Sequence, residues 1–70
     1  MIKEKTMEEA RVIASRYDKG TLGSFSMALM DLFGKADETN KIKLGIGFPE
    51  YRVAHHLWFI GDYDKDINNV

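Results

Sequence analysis

Apolar residues recur at steps of three and four along most of the chain. No stretch keeps the period of two that a half-buried strand shows, so the pattern predicts helices. The first helix is expected over about 7–18. Thr6 and Glu9 have the spacing of a capping box, in which the hydroxyl takes an orphan backbone N–H and the carboxylate reaches back to the cap residue. Ala10, Ile13, Ala14 and Tyr17 follow as an i, i+3, i+4, i+7 stripe, with Glu8, Glu9 and Arg11 facing away. Gly20 suits the left-handed position that ends a helix. A second helix is expected over about 22–36, capped by Thr21 or Ser24. Phe25, Ala28, Leu29, Leu32, Phe33 and Ala36, widened by Met27 and Met30, leave it apolar on nearly every side. Such a helix is central or contacts another chain, and the reading places it at the core.

The run Asp37-Glu38-Thr39-Asn40 interrupts the pattern with residues that cap and turn. Asp37 is expected to cap a short third helix over about 38–45 with Ile42 inward, ended by Gly45, Gly47 and Pro49. Proline disfavours the helical region for the residue before it yet suits the first position of a new helix, so a fourth helix is expected over 49–60. Glu50 lies near its positive end; Val53, Ala54, Leu57 and Trp58 form its inner stripe, Tyr51 flanks it and Gly61 closes it. Residues 1–5 read as a short lead, and residues 61–70 as a flexible, disordered acidic tail. The fold class expected is therefore all-α: a single helical domain over 1–60, a compact bundle of three to four short helices.

Composition narrows the function classes. Seventy residues allow one domain, and a chain of this size buries only about 60% of its unfolded surface. There is no cysteine to form a disulfide or a thiolate metal site, so a packed helical core or self-association must stabilise it. Ten Lys and Arg against eleven Asp and Glu give a net charge of −1, with no overall pull toward nucleic acid or anionic membrane. The first residues turn acidic at once and lack an apolar stretch, so no signal peptide is expected. No apolar run exceeds four residues, as in Met27–Met30, far short of the about 20 that span a membrane. A cytoplasmic protein without membrane partners is expected.

Several residues invite a chemical reading. His55 and His56 are adjacent, about 100° apart on a helix, and so do not chelate one metal as an i, i+4 pair would; no metal and no cofactor is expected. Asp62, Asp64 and Asp66 resemble the start of a calcium loop, but Ile67 stands where that loop needs glycine. In the turn Lys19-Gly20-Thr21-Leu22-Gly23-Ser24, the N-terminus of a helix could bind a small anion or nucleotide through Arg16, Lys19, Thr21 and Ser24; an ordinary helix–helix turn is the favoured alternative. The third and fourth helices have helix-turn-helix proportions, with Arg52, His55 and His56 beside Glu50 on the reading face. That face lacks the basic cluster that neutralises phosphates, so no nucleic-acid partner is expected. Ser15, Ser24 and Ser26 lack the G-x-S-x-G setting of an esterase nucleophile, and no enzyme is expected.

What the sequence has in surplus is large apolar side chains. Met27, Met30, Trp58 and Phe59 are candidate interface residues, Phe59 because it lies off the inner stripe of its helix. The stretch from Ser15 to Phe25, then Ala36-Asp37, Asn40, Lys43-Leu44 and Phe48-Pro49-Glu50, resembles small helical proteins of phages and other mobile elements over about 15–58. That resemblance implies no catalytic residue. It implies a setting, the host cell cytosol, in which small cysteine-free proteins inhibit or divert host systems, defence nucleases and nucleotide messengers among them. The expected function is a non-enzymatic interaction protein that binds a host protein, itself as a homo-oligomer, or both. Sequestration of a nucleotide and DNA binding through the fourth helix are the alternatives.

Overall fold

The computed structural model describes residues 4–63. Among them the chain forms four helices and no strand: α1 (Glu4–Lys19), α2 (Ser24–Lys35), α3 (Glu38–Gly47) and α4 (Pro49–Ile60). The all-α expectation holds, and the local chemistry accounts for where the boundaries moved.

α1 already includes Glu4–Thr6, so Thr6 lies inside the helix and the Thr6–Glu9 capping box does not form. Glu4 and Lys5 are good helix formers and carry the helix past the expected cap. Its other end is as expected. Gly20 takes a left-handed φ of 71°, its N–H donates to the Tyr17 carbonyl at 3.1 Å, and Thr21 N–H donates to the Arg16 carbonyl at 2.9 Å. This is a Schellman closure. α4 ends the same way: Gly61 has φ 76°, and Asp62 N–H reaches the Leu57 carbonyl at 2.9 Å.

α2 begins later than expected. Its cap is Gly23, not Thr21 or Ser24, and no side chain bonds its first N–H groups. α3 begins as expected, with the Asp37 carboxylate accepting the Asn40 N–H at 2.9 Å. It runs through Gly45 to Gly47, because glycine costs a helix only about 1 kcal/mol per residue. Pro49 is the true stop. It offers no N–H and pushes Phe48 out of the helical region, to φ −134° and ψ 66°, and then serves as the first residue of α4.

The expected centre of the fold is corrected. α1 and α4 share the broadest helix–helix contact, and α2 and α3 each pack on α4. One core cluster is built from Ala10 and Ala14 of α1, Met30 of α2, and Ala54 and Leu57 of α4. Small residues on both long helices let their axes approach closely. Met7, Ile13, Tyr17, Tyr51, Val53 and Trp58 seal its margin. α2 is amphipathic in fact: Leu29, Met30 and Phe33 are buried while Phe25, Ala28 and Leu32 face solvent. Met30, a candidate surface residue, is fully buried, and Met27 is half-buried. Ile42, expected inward, is exposed; Leu44 is the residue α3 turns toward the fold.

Polar ties join the helices. Tyr17 Oη donates to Asp31 Oδ1 at 2.5 Å, linking α1 to α2. That bond, with partial burial and the Asp31 charge, pushes the Tyr17 phenol up to about 12. Ser26 Oγ and Tyr51 Oη lie 2.7 Å apart between α2 and α4. Arg11 of α1 meets Asp62 just beyond α4, with Nη1 3.3 Å from its carbonyl and 3.5 Å from Oδ1. Tyr63 packs against the core, and partial burial and a bond to the Asp18 carboxylate push its phenol up. The first residues of the expected tail thus belong to the folded body. Residues 64–70, with Asp64, Asp66 and Ile67, lie outside the described residues, as do residues 1–3 of the lead.

Candidate functional site

α4 has a second face. Arg52, His55, His56 and Phe59 repeat at i, i+3, i+4 and i+7, rotated away from the core positions Ala54 and Leu57. That face forms the floor of a cleft of about 490 Å³, walled by Phe33 and Gly34 of α2 and by Glu38 and Lys41 of α3, with Trp58 at its base. Glu38 and Lys41 stand i, i+3 on one side of α3, so both reach the same opening.

Each side chain has a local cause for its position. Arg52 crosses α3 at Gly45, where a Cβ would lie 2.5 Å from Arg52 Cδ. The glycine that α3 tolerates is therefore the gap through which α4 extends its guanidinium. Arg52 meets Glu38 at 3.9 Å, a pair open to solvent on both sides and worth under about 1 kcal/mol. His55 is half-buried, its ring 6.4 Å from Phe33 in a stacked orientation and 5.7 Å from Trp58. Trp58 in turn sets its ring edge-on to Tyr17 of α1 at 5.0 Å. Burial first, then Lys41 and His56, hold the His55 imidazole below its ordinary pKa of 6.5. His55 is thus a neutral hydrogen-bonding group at pH 7. Phe59 is 77% exposed, as its place off the inner stripe leads one to expect. The lining offers aromatic faces, two permanent positive charges and imidazoles, and it contains no hydroxyl or thiol nucleophile.

The sequence reading put Arg52, His55 and His56 together, and the structure keeps them on one face. Arg52 reaches over α3 beside Gly45, His55 is half-buried against Phe33 of α2, and His56 is exposed. The reading missed Phe33, Gly34, Glu38 and Lys41. The only signal for them was the shared face of residues 38 and 41. Arg16, Lys19, Thr21 and Ser24 are exposed around the α1–α2 turn, and Thr21 Oγ1 donates to the Arg16 carbonyl at 3.4 Å rather than pointing outward. Trp58, an interface candidate, is half-buried. No group of three or more His, Asp or Glu is placed to hold a metal ion among the described residues.

Two further grooves stand out on the described surface. One, of about 470 Å³ between α1 and α4, is rimmed by Glu8, Glu9 and Glu50. The other, of about 340 Å³ between α2 and α3, is lined by Leu32, Leu44 and Phe48 among others. Phe48 continues this apolar surface to Phe25, ring centroids 6.2 Å apart.

The architecture defines an all-α four-helix domain with a mixed aromatic and cationic cleft. Comparison of the chain with protein-family models, curated proteins and solved structures finds no match in any of the three.

Proposed function

We propose that the protein is a non-enzymatic interaction protein that acts by stoichiometric binding, and that it docks a protein partner on the α2–α3 face. The observation that supports this reading is the apolar surface left open there. Phe25 and Leu32, i and i+7 on α2, are 66% and 47% exposed, and they border the groove formed with Leu44 and Phe48. Ile46 of α3 is 79% exposed. Covering such surface is favourable by about 25 cal/mol per Å². The resemblance to small phage and mobile-element proteins favours a host protein in the cytosol as the occupant, a defence component included. A second copy of the chain fits the same chemistry. No helix among the described residues is long and apolar enough to cross a membrane.

Affinity capture from host lysate, run beside light scattering, tests the proposal with Leu32→Lys as the comparison. Leu32 is exposed, so the variant is expected to fold. The expected outcome is a partner or a homo-oligomer in whole-number ratio, lost in the variant. A strictly monomeric protein that captures nothing removes the reading.

A further inference from the structure

We infer that the cleft between α2, α3 and α4 is a binding site for a small heteroaromatic anion of the nucleoside monophosphate kind. The inference does not rest on the α2–α3 docking reading, since the cleft is lined by other residues and floored by α4, which that docking face lacks.

The cleft volume of about 490 Å³ lies within the roughly 300–1,000 Å³ of small-ligand pockets and suits one nucleotide unit. The ring seat is aromatic. Phe59 presents an almost uncovered face, and half-buried Trp58 lines the same space. Stacking of a base on an aromatic side chain is tolerant of which base it is. The anion seat is cationic. Lys41 offers three donors and Arg52 a planar fork suited to phosphate oxygens. His55, half-buried with its ring stacked 6.4 Å from Phe33, adds an imidazole to the lining. Charge also limits the size of the ligand. The chain is at −1 overall, and Glu38 lines the cleft beside Lys41 and Arg52, so the local positive charge is small and matches a single phosphate better than a long polyanion.

Glu38 sharpens the inference. Its carboxylate lies 3.9 Å from the Arg52 guanidinium, so it competes with a ligand phosphate for that cation. Removing that competitor should tighten binding, which a role of Glu38 in merely shaping the cleft would not do.

Trp58 is the only tryptophan and reports directly. The full chain is titrated with AMP, followed by Trp58 fluorescence and by calorimetry. Adenosine, inorganic phosphate and a ten-residue oligodeoxyadenylate are titrated in parallel. Saturable binding of AMP is expected, with adenosine and phosphate each at least about tenfold weaker. Lys41→Ala and Phe59→Ala, both at the open side of the cleft, should weaken AMP about tenfold. Glu38→Gln should tighten it about two- to fivefold. Lys19→Ala at the distant turn and Leu32→Lys on the docking face should leave it unchanged. Absence of saturation by about 1 mM AMP, equal loss in Lys19→Ala, or tighter binding of the oligonucleotide overturns the inference.

Discussion

Ser15 is fully buried in α1, and its hydroxyl has no hydrogen-bond partner among the described residues. A buried hydroxyl left unbonded costs about 1–3 kcal/mol, and alanine is also the better helix former. Ser15→Ala is therefore expected to stabilise the fold by about 1 kcal/mol, which in a domain this small raises Tm by about 4–8 °C. A thermal melt that moves down on this substitution would show that the hydroxyl is satisfied after all. His55 makes a prediction of opposite kind, because the fold works against its charge. Its folded pKa lies below the ordinary 6.5, so the unfolded chain binds the proton more readily. The stability linked to His55 is complete above about pH 6.5 and is lost as pH falls through the lower folded value. Urea midpoints taken from pH 7.5 down to pH 5.5 should decline, and His55→Gln should flatten that decline. An unchanged slope in the variant would assign the effect elsewhere.

The same reasoning applies to whole helices through their ends. α2 starts at Gly23 in extended backbone, φ −65° and ψ 164°, with no side-chain cap and no acidic residue in its first turn. A side chain at Gly23 meets nothing within 4 Å. Gly23→Asp should therefore supply the missing cap, favour the helix dipole and stiffen the unfolded chain, for a gain of roughly 0.5–1 kcal/mol. Denaturant unfolding measures it, and a loss of stability would mean the N-terminus of α2 is already satisfied. The helices differ in how legible they were. α4 was read to the residue because Pro49 and Gly61 are unambiguous punctuation. α3 was cut short because its glycines look like breakers, and what excuses Gly45 is Arg52 from another helix. α2 was misplaced at the centre for a related reason. An all-round apolar helix does not announce which side is covered, and its neighbour, α4, begins 14 residues after it ends. The candidate site divides along the same line. Arg52, His55 and His56 share one helix and could be grouped by spacing; Phe33 and Lys41 reach them only through tertiary packing.

At the scale of the molecule, the fold is held by an interface distant in sequence. α1 and α4 form the main contact, α2 and α3 rest on α4, and Arg11 fastens α1 to Asp62 beyond it. Every cavity discussed above except the α2–α3 groove has α4 as a wall. Polar contacts across the other seams include Tyr17 to Asp31 and Ser26 to Tyr51, beside the apolar packing of Met30 and the Phe33–His55 stack. The arrangement has a consequence for the order of events during synthesis. As the chain leaves the ribosome, α1, α2 and α3 emerge before α4, whose Ala54 and Leu57 complete the core around Ala10, Ala14 and Met30. Short isolated helices are marginal in water, so these three remain fluctuating until Pro49–Ile60 is available. Folding is thus a late step governed by closure of the long loop between α1 and α4, slower than the helical content alone would suggest. During that interval the apolar side chains of α2 are open on both faces, and nascent chains held close together on one message meet when they are most adhesive.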